Sequence, residues 1–264
     1  MLNTAPAAPT TMTFAQVVAS VEDRIARAPI RTKPFPHIVI DDVLPPVVRL
    51  SLDAFWPTKD RLNATNYFHR GELRVSALAE SSRGRDRQFW DALRHLAIPM
   101  SRAVRIRMTR HLGEKFRPLI GPDWRRKLGE APFIERDSML AEYHGVVDLV
   151  PHIDNAKLVV NGFVYLDDPG QPTPEPRRGT TLYRSLGFAW PSNAPIPSAI
   201  RNRFLREAGE IEWRDNRLFA YVNGPRSFHG VSRHDLGEAR RRLLMFGSIV
   251  DKDVMAKVYD PEFH

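Results

Sequence analysis

Three residues in the second half of the chain have the types and spacing to bind one metal ion. In Val150-Pro151-His152-Ile153-Asp154-Asn155 a histidine and a carboxylate stand two apart. On a strand, residues i and i+2 point to the same side, so both side chains can reach a single ion. A third ligand must come from elsewhere. His229, in Arg226-Ser227-Phe228-His229-Gly230-Val231, is the best candidate, on a later expected strand. Two neutral imidazoles and one carboxylate on one face leave three coordination positions open. That is the arrangement by which Fe(II) takes a co-substrate and dioxygen together. The other histidines suit structural roles. His144 adjoins Tyr143 and should point to the opposite face, His234 follows Arg233 in an expected loop, His37 sits in a short strand, and His69, His95 and His111 lie in the helical half.

These ligands need strands to hold them, and the second half supplies them. Met139–Tyr143, 157–166, 180–183, Arg217–Val222, 227–231 and Arg241–Val250 are short β-branched or apolar runs separated by Pro, Gly, Asp and Asn, with 210–213 as a seventh. Many short strands at modest spacing predict a sandwich or barrel. Gly179 with Thr180 and Thr181 opens one strand and takes no catalytic role. The first half is helical. Phe14, Val17, Val18, Val21 and Ile25 mark one buried stripe over 13–28. A strand at 34–42 follows, then a helix started by Pro45-Pro46 and running to about Phe55. Residues 56–84 are irregular. A helix over 85–97 is broken by Pro99, and another runs to about Leu112.

The expected fold is therefore α+β, mainly β: a double-stranded β-helix, or jelly roll, with N-terminal helices packed outside. Residues 1–12 read as a disordered lead-in. Residues 13–264 form one domain, with helical support over about 13–135 and the barrel core over about 136–250.

Composition narrows the chemistry. The chain has no cysteine, which excludes disulfides, zinc thiolates, iron–sulfur clusters and a thiol nucleophile, so any metal must be held by His, Asp or Glu. Absent cysteine also fits a reducing cytoplasm. No apolar run approaches a membrane span. The formal charge is +8, and seven of the 39 basic residues are lysine, leaving 32 arginines. They are scattered rather than grouped, which favours a compositional origin over a nucleic-acid surface. There is no helix-turn-helix, stacking motif or zinc finger, no Gly-x-Ser-x-Gly elbow, no phosphate loop and no dinucleotide fingerprint.

Tyr143…Pro151-His152-Ile153-Asp154, then Gly179-Thr-Thr-Leu-Tyr183, then Ser227-Phe-His229-Gly-Val, then Gly237…Arg240 before an apolar strand, resembles the 2-oxoglutarate- and Fe(II)-dependent dioxygenases, and most closely their prolyl-hydroxylase-like branch. The early Pro34-Phe-Pro-His-Ile-Val-Ile-Asp-Asp42 with Leu44-Pro-Pro is similar to the opening of many bacterial members. The resemblance spans about 34–250 and is loosest over 56–135. It implies that His152, Asp154 and His229 ligate iron, and that 2-oxoglutarate and O2 are co-substrates. It also implies that a basic residue at Arg240 pairs with the distal carboxylate of 2-oxoglutarate, as a forked donor suits a carboxylate. Arg242 shares the face of Arg240 and is its helper or substitute, while Arg241 faces the other way. Tyr143 would hydrogen-bond 2-oxoglutarate. Asn155 and Asn161 either orient ligands or serve turns. The expected reaction hydroxylates a small-molecule or peptide substrate, for which an anionic one would suit the arginines, with release of succinate and CO2. Asp154 argues against a halogenating relative. Two alternatives remain: a cupin-type metal enzyme without 2-oxoglutarate, and a non-catalytic binding module for anions or nucleic acid.

Overall fold

A computed structural model of the chain describes residues 12–65, 70–129, 133–172, 177–191 and 193–251. The expected lead-in falls outside them except for Met12, which packs against the core. The helices are α1 (Phe14–Arg27), α2 (Pro46–Phe55), α3 (Val75–Ser81), α4 (Gly84–Arg107), α5 (Gly113–Ile120), α6 (Trp124–Leu128) and α7 (Ser198–Phe204). The strands are β1 (His37–Ile40), β2 (Asn63–Ala64), β3 (Arg70–Arg74), β4 (Phe133–Glu135), β5 (Met139–Tyr143), β6 (Val146–His152), β7 (Leu158–Leu166), β8 (Thr180–Ser185), β9 (Leu205–Ile211), β10 (Arg217–Val222), β11 (His229–Asp235) and β12 (Arg241–Val250).

The last eight strands, β5 to β12, divide between two antiparallel sheets. One sheet contains the order β10-β7-β12-β5, and the other is β6-β11-β8-β9. Numbered from β5 as the first, those orders are 6-3-8-1 and 2-7-4-5, which is the jelly roll. β1 extends the larger sheet beside β10, β3 and β2 extend it beyond β5, and β4 pairs with β12.

Both faces of the larger sheet are covered. Leu140, Val160, Val164, Leu218, Ala220, Leu244 and Phe246 face the helices and share a core with Val21 and Ile25 of α1 and Trp90, Leu93 and Met100 of α4. The alternate residues Ala141, Tyr143, Phe163, Tyr165, Phe219, Tyr221 and Leu243 face the smaller sheet, where Val147, Leu182 and Val231 meet them. This period-two split is the pleat of a strand buried on both sides.

Local chemistry accounts for α1. Gln16 N–H donates to Thr13 Oγ1 at 3.3 Å while Thr13 N–H donates to Gln16 Oε1 at 2.8 Å, a reciprocal cap. The expected break at Pro99 does not occur, and α4 runs through it. Leu96, Ala97, Met100 and Val104 continue one buried face across the proline, so packing outweighs the lost backbone bond. The described part of 56–84 is more ordered than expected, because β3 pairs with β5 over Arg70↔Tyr143 to Arg74↔Met139. No described helix is long and apolar enough to cross a membrane.

Candidate metal centre

His152 is the last residue of β6 and His229 the first of β11, and the two are cross-strand partners. Asp154 lies beyond the strand end, in the loop before β7. The alternation still holds through Ile153, which turns away into a separate apolar cluster with Leu205 and Phe228. The ligand atoms of His152, Asp154 and His229 lie within 4.8 Å of one another. His152 Nε2 is 3.8 Å from Asp154 Oδ1, and His229 Nε2 is 3.8 Å from Asp154 Oδ2. Among the described residues this is the cluster of His and acidic side chains able to hold an ion. The His152, Asp154 and His229 side chains are 25%, 20% and 7% exposed, so the cluster opens to solvent on one side.

Hydrogen bonding fixes each ligand. The Nδ1 atoms of His152 and His229 sit 2.9 Å from the carbonyl oxygens of Val150 and Ser227. A carbonyl only accepts, so each Nδ1 carries the proton and each Nε2 presents a lone pair to the centre. The Tyr221 hydroxyl donates to Asp154 Oδ2 and lies 3.0 Å from His229 Nε2. One hydroxyl hydrogen cannot serve both acceptors. Asn161 Nδ2 donates to the same Asp154 oxygen at 2.6 Å. Lone pairs from two imidazoles, a carboxylate and a phenol thus converge with too few protons between them, and a cation resolves that deficit. The donor set, two nitrogens and an oxygen without sulfur, fits a first-row divalent ion.

Electrostatics agree. Burial and the neighbouring His229 push His152 down to about 4, so it is neutral and ready to coordinate near neutral pH. Burial alone would raise Asp154. The neighbouring imidazoles of His229 and His152 and the bonds from Tyr221 and Asn161 nevertheless hold it below the usual carboxylate range. Burial and the Asp154 charge push Tyr221 well up, so it stays a protonated donor.

The loops bearing the ligands are tied together. Lys115 of α5, 2% exposed, donates from Nζ to the carbonyls of Ala156 at 2.8 Å and Asn223 at 3.1 Å. Asn223 Nδ2 donates in turn to the carbonyls of Asn155 at 2.9 Å and Leu158 at 3.2 Å. The segment after Asp154 and the one before His229 are therefore cross-linked. Burial pushes Lys115 down to about 7 against the pull of Asp154. Asn155 serves its turn, with Oδ1 accepting from Lys157 N–H.

The three consecutive arginines divide between two faces. Arg242 donates to Glu142 at 3.0 Å, pairs with Asp168 at 3.0 Å and covers the Trp56 ring, on the helical side of the sheet. Arg240 lies on that same side, 36% exposed and 3.7 Å from Asp168. Both are engaged by carboxylates away from the interior that holds the triad. Arg241 points inward. It is 2% exposed, its Nε and Nη1 have no partner, and its guanidinium carbon lies 5.5 Å from the Tyr143 ring centre and 5.3 Å from that of Tyr165. The Tyr165 hydroxyl meets Thr180 Oγ1 at 2.6 Å beside it. Tyr143, expected near the site, is buried on this inner face. His144 pairs with Glu142 instead of joining the triad. Tyr165 and Tyr221 went unnoticed in the sequence, although Phe163-x-Tyr165 and Phe219-x-Tyr221 repeat the inward parity.

No protein-family model and no curated protein matches the chain. Solved structures do overlap it. A prolyl-4-hydroxylase from Pseudomonas putida is 14% identical, with a TM-score of 0.43 over 88% of this chain and 98% of that one. HygX from Streptomyces hygroscopicus, solved with nickel and 2-oxoglutarate bound, is 13% identical, with a TM-score of 0.44 over 81% and 82%. The Fe(II)/α-ketoglutarate-dependent dioxygenase TqaL is 12% identical, with a TM-score of 0.49 over 92% of each chain.

Proposed function

We propose that this chain is an Fe(II)- and 2-oxoglutarate-dependent oxygenase that hydroxylates a small-molecule or peptide substrate, working in the cytoplasm as one domain over residues 13–264. The observation that carries this reading is Arg241, whose Nε and Nη1 are buried without a partner in the same inter-sheet space that ends at the triad. A buried, unpaired cation is costly. Here it has a use if an anion enters the barrel to meet it. A dicarboxylate that also chelates the metal supplies that anion.

In this reading His152, Asp154 and His229 would hold the metal. Fe(II) held there would supply, with 2-oxoglutarate and dioxygen as co-substrates, oxidative decarboxylation to succinate and CO2 coupled to oxidation of a substrate carbon. The chain does the positioning. Arg241 receives the distal carboxylate through two parallel charge-assisted bonds, the role that the resemblance implied for Arg240 or Arg242. The Tyr165 and Thr180 hydroxyls stand ready to donate to the same carboxylate, and Tyr143 lines the path. The carbonyls of Val150 and Ser227 set the imidazole tautomers. Tyr221 and Asn161 hold one oxygen of Asp154 and leave the other free.

The test is an anaerobic titration of the metal-free protein with Fe(II) and then 2-oxoglutarate, following the weak visible charge-transfer band. The band is expected in the wild type and absent in His152→Ala, Asp154→Ala and His229→Ala. Iron binding without the band removes 2-oxoglutarate from the reading and leaves a cupin-type enzyme. Failure to bind metal removes the enzyme altogether.

A further inference from the structure

Beside the triad stand two more arginines that the co-substrate does not use. Arg136 follows β4, and its backbone N–H donates to Gly247 O at 2.8 Å. Its side chain crosses the inner face of β12, where a methyl group on Gly247 would sit 3.5 Å from Arg136 Cδ and 3.4 Å from Asn161 Oδ1. Asn161 is the residue that grips Asp154, so Arg136 enters the barrel at its metal end. The charges acting on it include Asp154, Glu72 and Arg70. Its side chain is half-buried. Arg70 lies on the same inner face. Its Nη2 is 3.3 Å from Met245 Sδ, its guanidinium carbon is 5.3 Å from the Tyr143 ring centre, and its charge acts on His152. It is paired with Glu72, yet its Nε is buried without a partner.

The charges leave a remainder. A divalent metal, Asp154 and Arg241 together carry two positive charges, which the two carboxylates of 2-oxoglutarate cancel. Arg70, Arg136 and Glu72 then keep one positive charge at the mouth. Lys115 does not offset it, since it can only add to it. Arg70 Nε is a buried donor without a partner, and an anion at hand stabilises such a donor.

We infer that the prime substrate carries an anionic oxygen group, a carboxylate or a phosphate, and that Arg136 with Arg70 binds it beside the triad. The inference rests on the co-substrate reading, because 2-oxoglutarate must neutralise Arg241 for the remaining charge to fall to the substrate. Specificity follows from geometry: Arg136 selects compounds that bear the anion close to the carbon to be oxidised, and neutral analogues leave its fork unpaired.

The probes are benzoate, phenyl phosphate and the neutral control benzamide. Each is titrated calorimetrically into protein loaded with Zn(II) and saturating 2-oxoglutarate. At least one anion should bind saturably while benzamide does not, and the stronger of the two identifies the group. Arg136→Gln should weaken that anion at least tenfold, with Arg136→Lys intermediate and the 2-oxoglutarate isotherm and melting temperature unchanged. A loaded protein that binds the anions no better than benzamide, or binds them equally well as Arg136→Gln, overturns the inference and leaves the oxygenase standing. A protein that takes up neither Zn(II) nor 2-oxoglutarate overturns both.

Discussion

Replacing Arg241 by methionine separates a binding arginine from a structural one. In the free protein, Arg241 has two nitrogens buried without partners. Each such group costs about 1–3 kcal/mol. The Tyr143 and Tyr165 rings return roughly 0.5–2 kcal/mol through cation–π contact. Methionine fills similar volume without polar atoms, so Arg241→Met should leave the metal-free protein as stable as wild type or more so, by up to about 5 kcal/mol. At about 2–4 °C per kcal/mol for a chain near this size, the melting temperature should hold or rise, by as much as about 10–20 °C. Arg242→Met should do the reverse. It strips a partner from Glu142, which is 1% exposed, and breaking such a pair costs about 3–5 kcal/mol. Binding should invert the order. Loss of two charge-assisted bonds at about 1.5–3 kcal/mol each weakens 2-oxoglutarate by a factor on the order of 100 or more in Arg241→Met. Arg240→Gln should stay within about fivefold of wild type, because a surface pair contributes at most about 1 kcal/mol. Thermal melts of the metal-free proteins and the charge-transfer titration read the two effects separately. An Arg241→Met protein that melts far below wild type, or that binds 2-oxoglutarate normally, refutes the assignment.

Three further perturbations follow from the site. Tyr221→Phe removes the hydroxyl that fixes Asp154 and should lower Zn(II) affinity by about 10–100-fold in a chelator competition without moving the fold; unchanged affinity would mean that Asn161 suffices. Lys115 is near 10.5 when unfolded and about 7 when folded, so between those values the unfolded chain holds a proton that the folded chain has released, and stability rises with pH by up to about 1.4 kcal/mol per unit. The unfolding free energy of wild type relative to Lys115→Met should therefore grow between pH 7 and 9 in denaturant melts, and a constant difference counts against a displaced lysine. Gly230→Ala places a methyl 2.4 Å from Leu149 O, which must push β11 off β6 beside His229, so both melting temperature and Zn(II) affinity should fall together.

How much of this was legible in the sequence turns on which strands show two different faces. The triad could be read because its chemistry is unusual: histidine and aspartate two apart beside a later histidine need no knowledge of burial. The jelly roll could be read because turn residues punctuate the strands. The helix over α1 showed its stripe because one face meets water. The ordered segment at β3 could not, since its pairing with β5 is a contact distant in sequence and leaves no local period. β12 is the instructive case. It is buried along nearly its whole length, with helices on one side and the smaller sheet on the other. A strand covered on both faces reads as a continuous apolar run, and its sequence carries no phase. The alternation of Arg240 and Arg242 against Arg241 was therefore visible, but not which set looks inward. The phase comes only from the partner strand: Arg241 sits opposite Tyr143, and Tyr143 faces the interior. The same reasoning carries to β7, where Asn161, Phe163 and Tyr165 follow one inward parity through a fully buried run. In such strands the polar residues are the informative ones. A buried arginine, asparagine or tyrosine on the inner face must find a partner there, and where none is present, the missing partner indicates what the barrel binds.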